Sequence, residues 1–262
     1  FDRLIHYVPK WFFSADTLHS LPPPVYLLLY RNEPYTTISK SSILVELIKY
    51  IYEKAKEVDR TMYQYTNQTY LAHRFDQANL QDGELINCTF EKCTFRGSSM
   101  EEMTSTGCHF IDCDFTGALL NASQHKGSAF TNCKFTGANL FVSRFEDCKM
   151  VGSDFSNAYM DGITLLGGDW SYTNLRHTNL SRQDLRGIKL MEADLFGCNL
   201  EKSDVRGADL SRVQMGQCKL KGADFRDAKL EGIDLKSLDL QGVKLDVEQA
   251  VLLARSFGAK VC

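Results

Sequence analysis

From Phe75 to Leu245 every fifth residue is apolar apart from Ser105 and His125, and the register runs without an insertion or deletion. The series opens Phe75, Leu80, Leu85, Phe90, Phe95, Met100 and closes Leu230, Leu235, Leu240, Leu245. Two residues before each centre there is usually a small side chain, as at Ala78, Gly83, Cys88, Ala118, Ala138, Ala193 and Ala208, and Asp or Asn often follows it. A period of five matches neither the 3.6 residues of a helical turn nor the alternation of a simple strand. A chain that turns a corner every five residues sends each centre inward. Self-similarity of this kind predicts an all-β solenoid rather than a packed-layer domain.

Units such as Ala193-Asp-Leu-Phe-Gly197, Ala138-Asn-Leu-Phe-Val142 and Ala223-Asp-Phe-Arg-Asp227 resemble the A(D/N)LXX signature of the pentapeptide-repeat family. The resemblance implies a right-handed quadrilateral β-helix over residues 72–245, with four pentapeptides per coil, about nine coils, and residues twenty apart stacked on one another. With a strand spacing of about 4.8 Å, that is a rod roughly 40 Å long.

The flanks follow other rules. In residues 1–71, Pro22-Pro23-Pro24 and Pro34 break the chain, and Ile43, Leu44, Leu47, Ile48, Ile51, Tyr52 and Ala55 recur at helical spacing. This predicts a mainly helical N-terminal segment, read either as a cover for the first coil or as a partner module, with residues 59–71 as a connection into the repeat. In residues 246–262, Asp246 is a good N-cap with Gln249 three residues on, and Gly258 suits a C-terminal stop. The expectation is a short capping helix and tail. Together with Leu240-Gln-Gly-Val-Lys-Leu245, this end resembles that of the quinolone-resistance pentapeptide proteins and of the immunity proteins that counter gyrase-poisoning peptides. The resemblance implies a homodimer joined through Val251, Leu252, Leu253, Phe257 and Val261.

Composition narrows the function classes. A net charge of −3 gives no case for a basic surface that binds nucleic acid directly. No apolar run approaches the 18 or so residues of a membrane span. Cys88, Cys93, Cys108, Cys113, Cys133, Cys148, Cys198 and Cys218 all occupy the small inward slot, and their spacing by five is not that of a zinc site. They read as small hydrophobes, so no metal or cofactor is expected, and so many free thiols suit a reducing cytosol. The chain opens at Phe1 without Met and reads as a trimmed piece.

The two polar centres, Ser105 and His125, are twenty apart and so vertical neighbours. A buried hydroxyl against a neutral imidazole forms a structural pair, whereas catalysis would need access, an orienting group and an oxyanion hole. On the outer surface, Asp184, Asp204 and Asp224 should form one column and Arg186, Arg206 and Arg226 a parallel one, each muting the other's field. Leu119, Phe141 and Tyr159 should point outward together as a partner face, or lie beneath the N-terminal segment.

These features describe a non-enzymatic binding scaffold. The family resemblance implies a DNA-mimicking rod that binds DNA gyrase or topoisomerase IV and shields it from a poison. The alternative is an interaction scaffold or delivered effector. Three departures separate this chain from the gyrase-protecting relatives: no insertion between 75 and 245 forms protruding loops, residues 1–71 stand where those relatives have little, and the Asp/Arg alternation reduces the resemblance to duplex charge.

Overall fold

The computed structural model describes residues 64–261; the helix expected in residues 1–71 falls almost wholly outside them. Two parallel sheets rise side by side. One contains β1 (Gln64–Thr66), β3 (Glu84–Ile86), β5 (Thr104–Thr106), β7 (Gln124–Lys126), β9 (Arg144–Glu146) and β10 (Thr164–Leu166). The other contains β2 (Thr69–Leu71), β4 (Thr89–Glu91), β6 (His109–Ile111) and β8 (Ala129–Thr131). Each residue pairs with the one twenty positions on, as in Leu85 with Ser105 and Phe90 with Phe110. Two further faces carry single bridges at the same spacing, one through Arg74, Thr94, Asp114 and Lys134, the other through Asn79, Ser99, Leu119 and Asn139. Beyond β10 such bridges alone continue the solenoid, to Asp224 with Lys244.

The corners explain the period. The N–H of Ala78 donates to the carbonyl of Phe75 at 3.1 Å, and Gln77 between them has φ 58°. This four-residue turn has a left-handed third residue, the arrangement of a type II turn. It recurs two residues after most centres, at Gly97, Gly117, Gly137 and Asn157; Asn132 is left-handed too, but there Cys133 N–H donates to Ser153 Oγ. The conformation favours Gly and Asn, which is why they recur at that slot.

The inward centres stack. Phe75, Phe95, Phe115, Phe135 and Phe155 form one ladder with successive ring centroids 4.7–4.9 Å apart and planes within 7° of parallel. Phe90, Phe110 and Phe130 form a second. The small slot does more than save space. The thiols of Cys88, Cys113, Cys148, Cys198 and Cys218 donate to the carbonyl 23 residues back, at 2.9–3.3 Å. Ser143 and Ser153 make the same bond at 2.7 Å. Cysteine here is therefore a weak donor as well as a small hydrophobe. Burial pushes the Cys198 thiol up to about 12 and Cys148 and Cys218 to about 11, which keeps them protonated and unreactive.

One boundary differs from the sequence reading. The repeat is already in register at Gln64, the first residue described, rather than starting at 72, because Tyr65 and Tyr70 are centres paired with Leu85 and Phe90. Tyrosine's polar tip made this stretch read as a connection. At the far end Leu235–Ser237 is a 3-10 turn, and α1 (Val247–Ser256) follows the last bridge.

The solenoid also opens on one side. The N–H of Phe75, Phe95, Phe115 and Phe135 reaches the coil above at 2.6–2.7 Å, but that of Phe155 reaches Asn174 at 3.1 Å. Beyond that corner the ladder is lost. Among the described residues no backbone hydrogen bond joins Asn157–Gly167 to Arg176–Arg186, until Lys189 N–H donates to Gly168 and Trp170 N–H to Lys189. Two faces thus part while the other two hold. The inward slot two residues before a centre most often carries Ala, Ser or Cys, and around this gap it carries a cluster of larger side chains, Ile163, Thr173, Thr178, Gln183 and Ile188; Met103 alone at that slot leaves the coils paired, with Gln124 N–H on its carbonyl at 2.9 Å.

Trp170 is fully buried at the closed edge, edge-on to Phe145 and tilted against Phe155, and its indole N–H has no partner. The sequence suggests that Gly168 makes room for this indole. The closer constraint is backbone: Gly168 has φ 84°, and a Cβ there would lie 2.2 Å from the carbonyl oxygen of Cys148. Gly168→Ala is therefore expected to cost about 2–3 kcal/mol in urea unfolding. Gly187→Ala, where no atom lies within 4 Å of the added carbon, should cost about 1 kcal/mol from backbone strain alone.

Candidate interaction surfaces

The interior polar pair is closed off. Ser105 Oγ and His125 Nδ1 are 2.7 Å apart, Ser123 Oγ lies 3.0 Å from His125 Nε2, and Phe145 stacks on the imidazole at 4.7 Å. Ser105 and His125 are both buried. With no charge beside it, burial alone lowers the histidine pKa to about 3, so the ring is neutral at physiological pH. Both ring nitrogens have hydroxyl partners.

The charge columns stand side by side. Asp184, Asp204 and Asp224 pair through single bridges, and each carboxylate takes two side-chain bonds from the arginine two residues on. For Arg226 on Asp224 these are 2.9 and 2.7 Å. Bonding to its arginine holds each of these carboxyls below the usual range, Asp224 at about 2 with Lys244 also nearby. The column is graded: the Asp184 side chain is 49% exposed against 12% for Asp224, because Asp184 is bridged only to the coil above and faces the gap below. Each acid is neutralised by its own arginine, so the face carries little net field.

Leu119, Phe141 and Tyr159 form one exposed cluster, with the Phe141 and Tyr159 rings 5.8 Å apart and nearly parallel. The sequence reading missed Val142, which is also exposed and extends this patch around the corner. Its signal was a β-branched residue at a slot that requires φ near 51°.

At the C-terminal end Asp246 and Gln249 complete a reciprocal capping box on α1. Gln249 is buried and its amide also donates to the carbonyls of Phe225 and Ala228, tying the helix to the last regular coil. The five residues expected at a dimer contact divide. Leu252 and Leu253 pack against the rod's own core and Val251 is half-buried, while Phe257 and Val261 are exposed.

Parallel ladders at twenty-residue spacing on four faces, with a corner every five residues, define a pentapeptide-type β-solenoid. The pentapeptide-repeats family model matches in eight copies, over residues 108–141, 173–212 and 218–246. The unmatched stretch between the first two blocks includes Tyr159, Gly168 and Trp170, where the ladder parts. Among solved structures the chain is similar to QnrB1, a plasmid-mediated fluoroquinolone resistance protein. Two trypsin-treated variants superpose with TM-scores of 0.67 and 0.66 at 24% and 25% identity, over 76% of this chain and 100% and 99% of theirs. Full-length QnrB1 gives 0.56 at 24% identity, over 75% of this chain and 100% of its own. At this identity the likeness is one of fold. No curated protein sequence matches the chain.

Proposed function

We propose that this protein is a non-enzymatic scaffold that occupies the DNA-binding surface of DNA gyrase or topoisomerase IV and protects it from a quinolone-type poison. The observation that supports this reading is the superposition of 76% of this chain on essentially the whole of two trypsin-treated variants of a fluoroquinolone resistance protein. Among the described residues there is no cluster that could hold a metal ion, and the one Ser–His pair is sealed inside the rod. With its acidic column neutralised by arginine, the rod would imitate duplex in dimensions more than in charge. On this reading the protein works in the cytoplasm, where gyrase is, and two rods join end to end through Phe257 and Val261.

The first test is gyrase supercoiling with and without a fluoroquinolone. Rescue of the drug-inhibited enzyme at near-stoichiometric protein is the expected result; no effect at a large excess would sink the reading. Phe257→Asp should convert a dimer to a monomer in sedimentation velocity and weaken rescue, since burying an unpaired carboxylate at a contact is costly.

A second reading rests on the stacked Phe141 and Tyr159 beside Leu119. Three large apolar side chains exposed together suit a protein partner. Tyr159→Ala would then abolish that partner's binding while leaving gyrase rescue intact.

A further inference from the structure

The gap in the ladder leaves strand edges without partners. On the lower lip the N–H groups of Asn157, Met160 and Gly162 and the carbonyl of Ala158 make no hydrogen bond among the described residues. On the upper lip the same is true of the N–H and carbonyl of Asn179 and the carbonyl of Arg176. In the coils below, the equivalent groups are paired, as in Tyr159 N–H to Ala138 and Leu140 N–H to Tyr159, at 2.9 and 2.7 Å. Backbone donors and acceptors are satisfied by water or by another backbone.

We propose that this cleft accepts an extended segment of a partner protein, added as a strand between the two lips. The proposal is independent of the gyrase reading. Three observations support this occupant. The free groups lie on facing edges of neighbouring coils, so a single strand could pair by both of its edges, the mode by which peptides add to sheets. The cleft encloses about 570 Å³, within the range of about 300–1,000 Å³ typical of ligand sites. Its rim carries the Phe141–Tyr159 stack, which would receive outward-pointing apolar side chains of the strand.

The site is confined to one face. On the adjoining face the amide of Gln183 donates to the Ile163 carbonyl at 2.6 Å and takes the place of the lost backbone bond. Arg176 lines the cleft, with its guanidinium bound to Asp194 at 2.9 Å and lying over the Phe196 ring. The strand's inward side chain would meet Met160 and Thr178, themselves in contact at 3.7 Å, and should be small and apolar.

The probe is a fluorescein-labelled synthetic peptide copying residues 138–147, a coil segment that lies against the Tyr159 edge from below. In the free full-length chain the amides of Met160 and Asn179 should exchange at least about a hundredfold faster than those of Leu140 and Asn139. Adding the peptide should slow them at least about tenfold. Asn179→Pro removes one unpaired donor without touching the bonds that Thr178 and Leu180 make to the next coil. It should weaken peptide binding about tenfold with only a small fall in Tm, from the Ser181 N–H bond to Asn179 Oδ1 that it also removes, and Tyr159→Ala should weaken it through the rim. Three results would each overturn the proposal: amides already protected in the free chain, peptide binding that leaves them unprotected, or binding indifferent to both variants.

Discussion

Phe115→Ala is expected to lower the free energy of unfolding by about 3–5 kcal/mol, the cost of emptying a large aromatic site that cannot collapse. Phe115 is fully buried and lies between Phe95 and Phe135, with ring centroids 4.8 and 4.9 Å away and planes within 5° of parallel. Its neighbours cannot close the hole. Each is fixed to its own coil, and the coils are held one strand spacing apart by bonds such as Phe115 N–H to Lys134 at 2.7 Å and Asp114 N–H to Cys93 at 3.0 Å. In a solenoid each repeat contacts only those next to it, so the loss falls on the two interfaces that meet at this coil. Phe115→Leu should cost far less, under about 1.5 kcal/mol, since the same column carries Leu175 and Leu195 higher up, both buried. The check is urea unfolding of the three proteins. A loss below about 1 kcal/mol for the alanine variant would mean that the stack is looser than its geometry states.

The same column shows what the sequence made legible. A centre every fifth residue specified the corners, the inward face and the vertical neighbours, so Ser105 against His125 and the Asp and Arg columns could be placed from spacing alone. Period carries that information because each coil repeats the one below it. The gap between Asn157–Gly162 and Arg176–Asn179 was harder to read, because the five-residue register passes through it intact. Its trace lies in the second-order slot, where Ile163, Thr178, Gln183 and Ile188 replace Ala, Ser and Cys. A pattern that counts only centres does not weigh that slot, and a single large side chain there is no signal either, since Met103 is buried in a coil that stays bonded to Gln124; only the cluster of them marks the gap. Gln249 was legible as half of a capping box but not as the residue that ties α1 to Phe225 and Ala228, since that bond depends on how the helix folds back over the last coil. Tyr65 and Tyr70 were lost for a different reason: a phenol at a centre satisfies the register while its hydroxyl resembles loop chemistry.

Acidification should weaken the rod well before its carboxylates titrate, and His125 is the cause. In the unfolded chain a histidine takes up a proton near pH 6.5. In the fold, burial holds this one neutral until about pH 3. Between those values the unfolded state binds one more proton than the folded state, so stability falls as the pH falls, at up to about 1.4 kcal/mol per unit. By pH 5 the loss should be about 2 kcal/mol relative to pH 7, and it should continue to grow toward pH 3. The carboxylates act in a lower window. Bonding to arginine holds Asp184, Asp204 and Asp224 below their ordinary range, so their contribution is present above the unfolded carboxylate pKa of about 3.9 and is lost beneath it. The interval from pH 7 to pH 5 therefore separates the two causes. His125→Phe supplies the control: phenylalanine continues the column with Phe145 and cannot titrate, although it leaves the Ser105 and Ser123 hydroxyls without their ring partner at a cost of about 1–3 kcal/mol. Urea unfolding of this variant should give a free energy that is lower at pH 7 but less dependent on pH down to pH 5, the difference in slope being the part His125 supplies. A variant as sensitive as the parent over that interval would mean that His125 is reached by solvent, and the sealed interior that rules out catalysis at Ser105 would have to be abandoned with it.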